Sequence, residues 1–240
     1  MRREQRALGA VPKALWALLA ASLAAQVAWQ ARQLSHTPAA SELPPPPSIH
    51  GLRLASFAEP AAAARLLALY VQSFDLGAAN SLPYQKLDYR RLIAWLLSIL
   101  ELDPRGQYPL FLAARVYAEN TDPVRARLAL DFVYQQFFID PNRRWPWLAH
   151  AALTAKHRLA DLPLARRYAS AVQRYATAPE VPLWAKQMEV FILEDMNELD
   201  AARIMLGGML ESGMVHDPAE LRFLRQRLQD LEARIGGATK

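Results

Sequence analysis

Three kinds of marker recur at one spacing along the middle of the chain, and a fixed period of this length means a fold assembled from like units. Tyr108-Pro109-Leu110, Trp145-Pro146-Trp147 and Val181-Pro182-Leu183 each set a proline between apolar residues, the prolines lying 37 and 36 residues apart. Proline has a fixed φ and no N–H to satisfy, so it suits the first turn of a helix, and each triplet predicts a helix start. Further on, Asp122-Pro123-Val124-Arg125-Ala126, Asp161-Leu162-Pro163-Leu164-Ala165 and Glu198-Leu199-Asp200-Ala201-Ala202 each put an acidic cap before a second helix and a small residue four positions later. Ala126, Ala165 and Ala202 are 39 and 37 apart, and the closing pairs Asp103-Pro104 and Asp140-Pro141 are 37 apart. The unit is a pair of helices of about 37 residues, which must stack on its neighbours to bury an apolar face.

Composition supports helices throughout. The 43 Ala and 38 Leu far outnumber 10 Val and 7 Ile, which argues against a sheet. Asp88 to Leu102 places Leu92, Trp95, Leu96 and Ile99 on one stripe, and Ser56-Phe57-Ala58-Glu59 before Pro60 has capping-box spacing for a helix running to about Asp75, with a break at Gly77 to Pro83. Leu221, Leu224, Leu228, Leu231 and Ile235 recur in three- and four-residue steps after Asp217-Pro218, predicting a last amphipathic helix that caps the stack, with homodimerisation through these heptads as the alternative.

The pattern resembles the tetratricopeptide-repeat (TPR) superfamily over roughly residues 56 to 215. Ala126, Ala165 and Ala202 stand where that family has its small second-helix residue, Tyr117 where it has a late first-helix aromatic, and Pro104 at its terminal proline. The family's Leu-Gly step is replaced by Ala113-Ala114, Ala152-Leu153 and Glu189-Val190. The resemblance implies an all-α, TPR-like α-solenoid of about four helical hairpins plus the C-terminal capping helix at 216–240.

Ahead of the repeats, Arg2, Arg3, Arg6 and Lys13 precede an uncharged stretch from Ala14 to Ala31. As a helix it would span about 27 Å at about 1.5 Å per residue, close to the roughly 30 Å of a hydrocarbon core. Residues 1–34 therefore read as a membrane anchor, or alternatively as a signal cleaved near Ser22-Leu23-Ala24. The basic flank orients a single-pass anchor in the inner (cytoplasmic) membrane with the body in the periplasm. Residues 35–55, with Pro44 to Pro47, read as an extended spacer.

The charge is concentrated at that end. Of the net +5, residues 1–34 carry five Lys or Arg and one acid, leaving +1 for the rest, too little for a nucleic-acid surface. No cysteine is present, no glycine-rich phosphate loop appears, and His150 and His157 lie about two helical turns apart, too far to share a metal. Glu194, Asp195 and Glu198 read as helix-terminal carboxylates, and the doublets Arg143-Arg144 and Arg166-Arg167 as solvated faces. The sequence thus predicts no catalytic residue, cofactor, metal or small-molecule substrate. In the family it resembles, first helices line a concave ligand face. The resemblance implies a groove with Tyr108, Trp147 and Trp184 near the helix starts, Phe111, His150 and Gln187 one turn in, and Arg115, Thr154 and Phe191 a turn further. Aromatics interspersed with Arg, His and Gln suit a protein or peptide segment. The expectation is a membrane-tethered scaffold or adaptor of the bacterial cell envelope. The alternatives are a helical envelope enzyme or accessory factor acting on cell-wall polymer, and a self-assembling structural protein.

Overall fold

A computed structural model of the protein describes residues 12–33, 42–74, 84–213, 215 and 217–238. Residues 1–11, with Arg2, Arg3 and Arg6 of the basic flank, residues 34–41, and residues 75–83, which contain the predicted break at Gly77 to Pro83, lie outside them. Every regular element among the described residues is helical: α1 (Lys13–Gln33), α2 (Ile49–Ala55), α3 (Pro60–Gln72), α4 (Tyr89–Leu102), α5 (Tyr108–Phe111), α6 (Pro123–Phe137), α7 (Pro141–His157), α8 (Leu162–Tyr175), α9 (Leu183–Asp195), α10 (Leu199–Glu211) and α11 (Pro218–Ala238). The α5 helix runs on through a π-helical turn, Leu112–Val116, and a 3-10 turn, Tyr117–Glu119.

Local chemistry accounts for most of the boundaries. Asp88 caps α4 by accepting from the N–H groups of Arg90 and Arg91, and Asp122 and Asp161 cap α6 and α8 in the same way. The predicted α4 stripe, Leu92, Trp95, Leu96 and Ile99, is buried, as are Ala126, Ala165 and Ala202, where the absence of a larger side chain lets helices approach closely. Tyr117 is fully buried, and its carbonyl accepts from the Tyr89 hydroxyl at 3.0 Å.

From α6 onward each helix packs on the next in sequence. Contacts between alternate helices reveal two layers. In the first, Phe111 meets Trp147 and Arg115 meets His150, so the α5 rod and α7 run parallel; Trp145 meets Trp184 and Lys156 pairs with Asp195, so α7 and α9 do too. In the second, Arg127 pairs with Asp161, Tyr168 donates to Asp131 at 3.0 Å and Phe138 packs on Tyr175, placing α6 parallel to α8. One apolar core extends from α2 to α9. A separate smaller one, with Val190, Leu193, Ala202, Leu206, Met209, Leu224 and Leu231, joins α9, α10 and α11. The last helix therefore covers the end of the stack, burying Leu224 and Leu231.

Several sequence expectations are corrected. Pro146 does not open a helix: α7 starts five residues earlier at Pro141, and Pro146 lies inside it. Ser56 does not start α3 but ends α2, donating its hydroxyl to the Arg53 carbonyl at 2.6 Å. The spacer is not free either. Residues 49–55 form α2, capped by Ser48, while Leu43 is buried and the Trp95 indole donates to the Pro44 carbonyl at 2.7 Å, fastening the prolines to α4. Arg144, read as half of a solvated doublet, is 2% exposed.

The α1 helix has a different environment. Every described side chain from Pro12 to Trp29, including Leu18, Leu19 and Leu23, is exposed. No single helix among the described residues is long and apolar enough to cross a membrane, the apolar part of α1 being Lys13–Trp29.

Candidate partner-binding face

The outward side of the first layer carries a connected row of rings and polar groups. The row begins where Tyr108, exposed at the start of α5, donates its hydroxyl to Gln72 Oε1 at 2.9 Å and stacks on Phe111, with centroids 5.8 Å apart and planes at 17°. Phe111 meets the Trp147 ring edge-on at 5.7 Å, and the Trp147 indole donates to Gln107 Oε1 at 2.6 Å. Phe111 and Trp147 are each half-buried, whereas Tyr108 is exposed.

One turn further in, Arg115 Nη1 lies 3.2 Å from His150 Nδ1. Arginine can only donate, so Nδ1 accepts and the neutral ring carries its proton on Nε2, which is buried without a protein partner among the described residues. Burial first, and the Arg115 guanidinium second, hold His150 below the ordinary imidazole value, with Glu119 opposing them. The unfolded chain then binds this proton more tightly than the folded one. The stabilising contribution is complete above the unfolded value of about 6.5 and is lost as pH falls from there toward the folded value. His150→Gln is expected to flatten the fall of Tm between about pH 7 and about pH 5, followed by circular dichroism. An unchanged slope would assign that acid sensitivity elsewhere.

Two of the nine predicted residues do not line this face. Thr154 and Gln187 are each 6% exposed. On α7 the neighbouring Leu153 points outward instead, and on α9 the residues from Gln187 to Val190 are all buried. There Met188 joins the main core and Glu189 faces Arg166 of α8, while further along α9 Arg227 of α11 lays its guanidinium over Phe191 and pairs with Glu194 at 2.9 and 2.5 Å. Phe191 is thus half-covered, and Trp184 stands exposed at the far end of α9.

The sequence reading passed over Trp145, which packs edge-on against Trp184 at 5.5 Å. The signal was present: these residues are 39 apart, the same interval as Ala126 and Ala165. The carboxylates read as helix-terminal groups act in ion pairs between helices. Glu194 binds Arg227 and Arg234, Asp195 binds Lys156, and Glu198 binds Arg166 at 2.9 Å without capping α10 through its side chain. Among the described residues no group of three His, Cys, Asp or Glu is arranged to hold a metal ion. The face offers rings, hydrogen-bond donors and one guanidinium, which is chemistry for contact.

No family model matches the chain, and no curated protein or solved structure matches it either.

Proposed function

We propose that this protein is a membrane-tethered scaffold whose helical pairs form a TPR-like α-solenoid and whose first-layer face binds a segment of another protein in the cell envelope. The carrying observation is the row Tyr108, Phe111, Trp147 with the Arg115–His150 pair beside it, set along parallel helices from successive units. Rings held by neighbouring side chains lose little rotamer entropy on contact, and the polar pair selects register. Four pairs, α3–α4, α5–α6, α7–α8 and α9–α10, followed by α11, support the solenoid reading. The α1 helix supports the tether, because Ala14 to Ala31 is uncharged and its described side chains, as far as Trp29, are exposed, which calls for an apolar medium. With the body outside the cytoplasm, its partner is an envelope protein.

A photo-crosslinking residue replacing Arg115 in the full chain, in membranes, tests the face. One discrete adduct is expected from that position and none from Ile204, exposed on α10 in the second layer. Trp147→Ala should weaken the partner's binding by about 2 kcal/mol, seen as loss of the adduct. Adduct formation unaffected by Trp147→Ala, or equal at Ile204, would remove this face from the functional account. A Trp147→Ala melting temperature that collapses would assign the ring to the core.

A further inference from the structure

The two ends of the helix stack differ in chemistry. At one end lie the connections α5–α6, α7–α8 and α9–α10, and these are tied by ion pairs: Arg158 with Glu119, Arg127 with Asp161 and Arg166 with Glu198. At the other end first-layer helices begin and second-layer helices finish. There the chain leaves Phe138, Ile139 (65% exposed) and Tyr175 standing out from the ends of α6 and α8, with Trp184 beside them at the start of α9. The α2–α3 turn reaches the same end. Tyr70 packs on Trp95 while Ala64 and Arg65 lie by Asp103 and Arg105, so α3 runs antiparallel to α4 and its start projects past the α4 terminus. Phe57 sits on that projection, 91% exposed and held at φ 48°.

We propose that this aromatic end of the stack seats on the surface of the bilayer that holds α1, with Phe57, Phe138, Ile139, Tyr175 and Trp184 entering the interface between headgroups and acyl chains. The proposal rests on the tether reading above. Large amphipathic rings and an aliphatic side chain projecting from one end of a body are the composition that settles at headgroup level. Reach allows it. From Gln33, the last residue of α1, to Glu42, which pairs with Arg91 near the opposite end of α4, the chain can extend about 30 Å. The 14-residue α4 is about 21 Å long and the 17-residue α7 about 26 Å, so this reach exceeds the length of either helix. A cavity of about 600 Å³ lies between α3, α4 and the α4–α5 connection, lined by Leu69, Ile99 and Tyr108 together with Arg65, Asp103 and Arg105. Charges of both signs stand there, with Arg65, Arg105, Arg143, Arg174 and Lys186 among Glu59, Asp103, Asp140 and Glu180. The docking is therefore apolar in origin, independent of acidic lipid and resistant to salt.

The absence of cysteine makes the test direct. Ile139→Cys at this end and Val124→Cys, 68% exposed on α6 at the opposite end, are each labelled with a nitrobenzoxadiazole dye in the full chain. The protein is reconstituted into phosphatidylcholine vesicles with or without brominated acyl chains. Brominated lipid is expected to quench the dye at 139 several-fold more than the dye at 124, aqueous iodide is expected to do the reverse, and roughly 0.5 M salt should change neither. Equal access of iodide to both positions would overturn the proposal by placing this end in water. Shielding of 139 from both quenchers would overturn it by assigning the end to a second copy of the chain. Failure of the chain to float with the vesicles would remove the tether reading and this proposal together, and shows before any quenching is read.

Discussion

Leu19→Arg combined with Leu23→Arg is expected to release the protein from the membrane fraction. The two positions lie one turn apart on α1 near the middle of the uncharged run, and both side chains are exposed. An arginine at the centre of a spanning helix costs about 2.5–3.5 kcal/mol, and each leucine lost forfeits about 0.5 kcal/mol more, so the pair amounts to about 6–8 kcal/mol. At about 1.4 kcal/mol per decade, partition into the bilayer falls more than a thousandfold. Alkaline carbonate extraction reads this directly. Wild-type protein should pellet with membranes while the double variant stays in the supernatant with an unchanged melting temperature of the body, since no α1 residue belongs to either core. Wild-type protein that extracts as fully as the variant would sink the tether.

Arg144→Ala is expected to be the most destabilising single substitution within the body. The guanidinium is buried where α7 meets the α4–α5 connection and the end of α6. It donates from Nη1 to the Gln136 carbonyl at 2.6 Å and from Nη2 to the Pro104 carbonyl at 2.9 Å. Burial lowers its proton affinity, the direction expected of a cation held away from water. Truncation strands the Pro104 carbonyl, leaves the Gln136 carbonyl to the backbone N–H of Ile139 at 3.3 Å, and opens a large void, at a cost of about 3 kcal/mol or more. For a body of this size that is roughly 6–12 °C in Tm. Arg144→Lys keeps the charge but lacks the planar fork needed to serve both carbonyls, so it should fall between the two. A Tm within about 2 °C of wild type for Arg144→Ala would show that the connections hold without this clasp.

What could be read from the sequence was local. Asp88, Asp122 and Asp161 cap helices because a carboxylate and the N–H groups it serves lie within three residues, and the Leu92 to Ile99 stripe needs only helical periodicity to find a core. Prolines were ambiguous for the same reason. Pro141 and Pro146 both carry helix-start chemistry, and only the packing of α7 on α6 and α8 selects the first. Ser56 offered a hydroxyl that could cap forward or close backward, and the short α2 helix, whose Leu52 finds its burial against α4, decided for closing. At the candidate face, repeat phase groups Tyr108, Phe111, Trp147, Arg115 and His150, which contact one another along parallel helices. Thr154 and Gln187 are buried instead, because a phase error of one residue turns a helical side chain by about 100°. Arg144 was misread outright, since nothing in its neighbours along the chain announces the carbonyls of Gln136 and Pro104.

The division of the interior into two cores bears on how the molecule breathes. Between helices stacked in sequence, cooperativity passes only through shared contacts, and the small cluster joining α9, α10 and α11 does not share the main apolar core. The carboxyl-terminal helices should thus open as a unit while α4 to α8 stay closed. Native-state amide exchange would show a protection gradient, with α10 and α11 exchanging through a low-energy sub-global opening and α6 and α7 only through whole-molecule unfolding. Such an opening would lift Arg227 from Phe191 and free Glu194, uncovering the Phe191 ring. A partner that engages Phe191 would then draw on this excited state, and its affinity would be scaled by how often the last two helices come away.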